Sequence, residues 1–195
     1  MSGFIRAFVA LDIPADVRDT LGHLSQQLDM IVPARAVRWV KPESMHLTLS
    51  FLGDGVTAVQ VTQIGQLLDQ IAQNTHPFTL RLDKLGCFPK PLAPRVIWAG
   101  LNGDLSPLRQ LKTTLDDGLH PLGWPPERRN FNPHLTLGRV KDTAAVARAG
   151  LPFGTPLSAQ SFAITAVHLY QSELTRHGAQ YEICHSAPFT AAPKH

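Results

Sequence analysis

The tetrapeptide His-Leu-Thr-Leu occurs twice in this chain of 195 residues, at His46-Leu47-Thr48-Leu49 and at His134-Leu135-Thr136-Leu137. Each copy lies in a segment that reads as a β-strand. Successive side chains on a strand point to opposite faces, so a His and a Thr two residues apart share one face and the leucines share the other. Each copy therefore needs a core on one side and leaves a polar face for a cleft on the other.

Hydrophobic residues make up 44% of the chain and charged residues 17%, enough apolar material to bury a sizeable core. The formal net charge of +3 permits an anionic substrate without demanding one, and it is too small for the basic stripe of a non-specific nucleic-acid binder. The opening residues, 1–14, carry a short apolar run that Asp12 interrupts, unlike a signal peptide. No apolar run approaches the roughly 18 residues of a membrane span. Cys87 and Cys184 have no metal-ligand spacing and read as inert buried thiols, so a cytoplasmic protein without membrane association is expected.

Along the chain, a strand over 4–13 is followed by a helix from Pro14 to about residue 29. A short strand over 36–40 leads through a turn into the first motif strand, which Gly53-Asp54-Gly55 should end. A second helix is expected over 56–72, strands over 78–85 and 95–101, and a third helix over 105–119 with Leu108, Leu111, Leu115 and Leu119 as its stripe. A polar loop over 121–133 precedes the second motif. The remainder predicts a short helix over 144–149 and strands over 157–159, 162–171 and 180–186, with a turn near His177-Gly178. Strand, helix, strand and His motif recur once per half, an α+β pattern expected to fold residues 1–195 as one bilobal unit with the histidines facing each other.

Two imidazoles across a cleft can divide the work of in-line displacement at phosphorus. One takes a proton from the incoming nucleophile and the other gives a proton to the departing oxygen. A Thr hydroxyl beside each can donate to a non-bridging phosphate oxygen. No carboxylate or His/Cys cluster accompanies the motifs, so neither a metal nor another cofactor is needed to explain them. The remaining histidines, His23, His76, His120, His168, His177, His185 and His195, read as surface or satisfied core residues. Trp39 and Trp98 read as core or cleft wall.

Residues 38–53 (RWVKPESMHLTLSFLG) and 130–139 (NFNPHLTLGR) resemble the two signature motifs of the 2H phosphoesterase superfamily. Within it the chain is most similar to bacterial RNA 2′,3′-cyclic phosphodiesterases, historically called 2′-5′ RNA ligases. FVALDIP at 8–14, RVIWAGL at 95–101 and LYQSEL at 169–174 extend the likeness over nearly the whole chain. The resemblance implies a bilobal pair of antiparallel sheets with outer helices and a central cleft. It implies hydrolysis of RNA 2′,3′-cyclic phosphate ends to 2′-phosphomonoesters, with 2′-5′ ligation as the reverse reaction.

It further implies His46 as proton donor, His134 as the base that activates water, and Thr48 and Thr136 at the phosphate. Arg139 and Phe51 match positions used around the substrate's phosphate and base. Strict alternation puts both on the wrong face, and only a bend at Gly138 would return Arg139 to the cleft. Phe51 reads equally as a core aromatic or a base-stacking residue. The expected partner is an RNA or oligonucleotide end carrying the cyclic phosphate, with no obligate protein partner. The alternatives are a 2H hydrolase of a small cyclic nucleotide or 2′-5′ oligoadenylate, and a non-catalytic module that grips RNA ends.

Overall fold

The computed structural model describes residues 3–127, 129–175 and 178–190. It contains β1 (Ile5–Leu11), α1 (Ala15–Asp29), β2 (Val37–Trp39), β3 (Leu47–Val56), α2 (Ala58–Gln73), β4 (Phe78–Phe88) and β5 (Val96–Gly103). There follow α3 (Leu105–Leu119), β6 (His134–Val140), α4 (Thr143–Ala149), β7 (Ser161–Ile164), β8 (Ala166–Thr175) and β9 (Gly178–Pro188).

The strands form two antiparallel sheets, one in the order β3-β1-β8-β9 and the other β2-β6-β5-β4-β7. Each motif strand lies beside the strand that precedes it across a helix, β3 against β1 and β6 against β5. The strand-helix-strand pattern read in each half is thus the pattern of sheet pairing. The motif leucines Leu47, Leu49, Leu135 and Leu137 are buried in one continuous core that also takes Val9, Leu11, Leu80, Ile97, Val167 and Leu169. Each fully buried leucine contributes about 1.5–3 kcal/mol, so the apolar side of each motif fixes which way its polar side faces.

The helices form for the reasons their sequences suggest. Helix α1 buries Val17, Leu21 and Leu28 and starts after Pro14, while Gly22 lets Pro42 approach closely. Thr57 and Gln60 close a reciprocal capping box at the start of α2. Helix α3 buries the expected leucine stripe. Helix α2 lies against β8, β9 and α3, and α3 lies against β4.

Four features depart from the sequence reading. Strand β3 continues through Gly53-Asp54-Gly55 to Val56, because both glycines take positive φ and the extra residues are absorbed as irregular pairing with β1. Strand β4 runs on to Phe88, held by β5 as far as Val96. Residues 157–159 are not a strand. Leu157 N–H donates to Asp83 O and Leu82 N–H to Gln160 O, but Pro156 has no N–H with which to extend that ladder.

The expected strand over 162–171 is broken at Thr165, where the chain leaves β4 and enters the other sheet beside β1. Ile164 is buried on one side of this crossing and Val167 on the other, so the apolar run serves two sheets. Cys87 is buried as expected, whereas Cys184 is exposed because β9 is an edge strand. The turn expected near His177-Gly178 falls on residues 176–177, which like His195 lie outside the described set. Among the described residues no helix is long and apolar enough to cross a membrane.

Candidate active site

His46 stands immediately before β3 and His134 is the first residue of β6. The two rings are held the same way. His46 Nδ1–H donates to Ser44 O at 2.9 Å, and His134 Nδ1–H donates to Asn132 O at 2.7 Å, each carbonyl lying two residues upstream. A carbonyl can only accept, so each Nδ1 carries a proton and each Nε2 is left free for chemistry. Thr48 and Thr136 follow on the polar faces, both half-buried between buried leucines.

The walls around the two rings differ. His46 stacks on Phe8, with ring centroids 4.7 Å apart, and Phe8 stacks on Tyr170 at 5.1 Å. Tyr181 meets both His46 and Phe8 edge-on. Ala10, which follows Phe8 on the same face of β1, is a methyl only and leaves room for these rings; Phe8, Ala10 and Tyr170 form a small cluster apart from the main core. His134 meets Phe88 edge-on at 5.0 Å and lies 6.2 Å from Trp98, which rests on Gly86.

Both motif strands carry the same irregularity at the same place. Thr48 pairs with Ala10 but Ser50 with Val9, so Leu49 is an extra residue in β3. Thr136 pairs with Trp98 but Gly138 with Ile97, so Leu137 is an extra residue in β6. Each bulge restores the face of the fifth residue past the histidine. Phe51 lies opposite Phe8 and is 60% exposed, which removes the core-aromatic reading. Arg139 lies opposite Arg38, on the face away from Val37 and Trp39, which pack against Gly138. The out-of-phase objection to both residues is therefore corrected by a backbone feature, a bulge at Leu49 in β3 and at Leu137 in β6, the latter taking the place of the bend expected at the paired Gly138.

Burial pushes the His46 pKa down to about 4, opposed by the Ser44 carbonyl and the Asp12 carboxylate and assisted by Arg18 and Arg139. Burial also lowers that of His134, opposed by the Asn132 carbonyl and assisted by Arg139. Arg139 thus acts on both imidazoles, which places the two halves in one electrostatic site. Strands β3 and β6 also approach each other at the junction of the sheets.

Several residues of this face were not singled out by the sequence. His168 pairs across from Ala10, lies 5.9 Å from Tyr170 and so adds a third imidazole to the face that carries Phe8 and Ala10. Asp12 Oδ1 accepts from Arg18 Nη2 at 2.6 Å and from Tyr170 Oη–H at 3.0 Å. The signal was present in the alternation Phe8, Ala10, Asp12, in which two apolar residues lead to a carboxylate. His23, His76 and His120 are exposed, and His185 pairs with Asp69, in keeping with their structural reading. Trp39 donates to Asp29, while Trp98 stands beside His134 and Phe88.

Two antiparallel sheets, each presenting a His-x-Thr segment with a free Nε2 to one site, define the 2H phosphoesterase fold. The chain belongs to the LigT like Phosphoesterase family, whose pattern matches residues 11–98 and 102–181. It is 32% identical over 171 residues to an RNA 2′,3′-cyclic phosphodiesterase of Aeropyrum pernix, covering 86% of this chain and 90% of the relative. It is 32% identical over 177 residues to the protein of the same name from Escherichia coli K12, covering 90% and 92%. The crystal structure of E. coli LigT complexed with 3′-AMP superposes with a TM-score of 0.79 at 30% identity, covering 96% of this chain and 99% of that one.

Proposed function

We propose that this protein hydrolyses RNA 2′,3′-cyclic phosphate ends to 2′-phosphomonoesters, with His46 and His134 as acid and base and without a metal. The observation that carries the reading is the matched anchoring of the two imidazoles, which leaves one reactive nitrogen on each. Relatives of nearly equal length that are named RNA 2′,3′-cyclic phosphodiesterase support the substrate class.

In this reading the water oxygen attacks phosphorus while neutral His134 takes its proton. The bond from phosphorus to the ribose 3′-oxygen breaks, and protonated His46 supplies that oxygen's proton. The product keeps the phosphate on the 2′-oxygen and gains a 3′-hydroxyl. Thr48, Thr136 and Arg139 hold the non-bridging oxygens, and Phe51 offers an exposed face to a base. His46 is mostly neutral in the empty site, so its proton must be stabilised by the phosphate's own negative charge on binding. Water in large excess favours hydrolysis over the reverse 2′-5′ joining.

Residues 1–195 act as one bilobal unit in this reading, which the continuous core supports. A cytoplasmic location and independence of any obligate partner protein complete it. Side-by-side turnover of an oligonucleotide with a cyclic end, a 2′-5′ oligoadenylate and an ADP-ribose cyclic phosphate tests the substrate class. Preference for either small nucleotide would replace the RNA assignment, and binding without turnover of any would replace the enzyme.

A further inference from the structure

The two motifs match in backbone, bulge and anchoring carbonyl, but their electrostatic surroundings do not match. His46 is acted on by Asp12 just past the end of β1, Arg18 of α1 and Arg139 of β6, and its ring meets Tyr170 of β8 and Tyr181 of β9, with His168 beside Tyr170 on β8. Asp12 is the carboxylate in this set. The groups acting on His134 are the Asn132 carbonyl and Arg139, and no carboxylate is among them within the described residues.

Asp12 is also mechanically coupled to His46. The pairing of Leu11 with Leu47 carries the following Asp12 to the same end of the strand pair as His46. Its Oδ1 holds Tyr170 Oη–H at 3.0 Å, Tyr170 lies nearly parallel to Phe8 at 9°, and Phe8 stacks on His46 at 24°. A ring face against an imidazole favours its charged form. His134 meets its phenylalanine edge-on, at 86°. One imidazole therefore sits on a stack tethered to a carboxylate and the other does not.

We infer that Asp12 is a positioning residue for the proton on His46, favouring the charged imidazole once a phosphodiester fills the cleft and so distinguishing acid from base in two otherwise matched motifs. The inference rests on the proposed role of His46 as proton donor. It accounts for how a histidine driven toward neutrality by burial regains a proton while its counterpart stays neutral.

Asp12→Asn keeps an oxygen acceptor for Tyr170 and Arg18 and removes the charge alone. With an oligonucleotide carrying a 2′,3′-cyclic phosphate, kcat of this variant at neutral pH should fall on the order of 10-fold. The alkaline limb of its pH profile, which reports loss of the acid's proton, should move down by about one pH unit. With a 4-nitrophenyl phosphodiester, whose leaving group needs no proton, the variant should stay within about twofold of the parent. Tyr170→Phe keeps the ring and the charge but cuts the tether, and should show the same substrate-dependent loss to a smaller degree.

An unmoved alkaline limb with equal losses on both substrates would reduce Asp12 to a structural residue and overturn the inference alone. His46→Ala run in parallel separates this from the broader reading. If His46→Ala recovers with the nitrophenyl ester, the donor assignment stands whatever Asp12 does. If it does not recover, the donor assignment falls and the role of Asp12 falls with it.

Discussion

Phe51 lies directly across the β1–β3 pair from Phe8, with ring centroids 6.2 Å apart, although it is five residues beyond His46 and out of phase with it. The bulge at Leu49 supplies the missing half-period. The phenyl ring is left exposed beside the stack that carries His46. If it receives a base, Phe51→Ala should cost about 1–3 kcal/mol of binding, seen as a KM raised about 5-fold or more with kcat little changed. Steady-state kinetics on an oligonucleotide end would show this, and an unchanged KM would remove the base contact.

Thr48 and Thr136 occupy matched half-buried positions two residues past each histidine. In the proposed mechanism each hydroxyl meets charge that accumulates on the non-bridging phosphate oxygens. Thr48→Ala and Thr136→Ala should each slow turnover on the order of 10²-fold. Rates within about twofold of the parent for both would show that neither hydroxyl touches the reacting phosphate.

A Cβ added at Gly86 would lie 2.1 Å from Trp98 Cη2. The indole forms the wall beside His134, so it cannot yield without disturbing that ring. Gly86→Ala should lower stability by about 1–3 kcal/mol and reduce kcat while the fold persists. Denaturant unfolding read together with kinetics checks this. A variant as stable and as active as the parent would mean the wall relaxes freely.

The half-buried histidines also set a pH dependence of stability. His46 has a folded pKa of about 4 against an ordinary 6.5, so the unfolded chain binds the extra proton between those values. Stability must then rise with pH across that window, be complete above about 6.5, and be lost as pH falls toward 4. The contribution is at most about 3 kcal/mol, and His134 adds to it with the same sign. Urea unfolding at about pH 4.5 and about pH 7 should show the difference shrinking in His46→Gln. An equal difference in parent and variant would place the titration elsewhere.

The polar faces of the two motifs were legible because a period of two is a property of sequence. His46, Thr48, His134 and Thr136 follow from it, as do the leucines that fix them. The bulges were not legible, since an extra residue such as Leu49 or Leu137 looks like any other strand leucine until its partner strand is known. For the same reason the break at Thr165 was hidden inside one apolar run. Asp12 and Tyr170, 158 positions apart, meet only after β8 crosses to lie beside β1.

In the proposed function His46 and His134 supply the acid and base, without a metal, that turn a cyclic phosphate end into a 2′-phosphomonoester. This is tested most directly by incubating the purified, exhaustively chelated protein with an oligonucleotide ending in a 2′,3′-cyclic phosphate and identifying the product. Complete conversion to the 2′-phosphate is expected, with a bell-shaped pH profile of kcat and losses on the order of 10²–10⁴-fold in both His46→Ala and His134→Ala. A 3′-phosphate product, activity that returns only with added zinc or manganese, or full turnover in either histidine variant would contradict it.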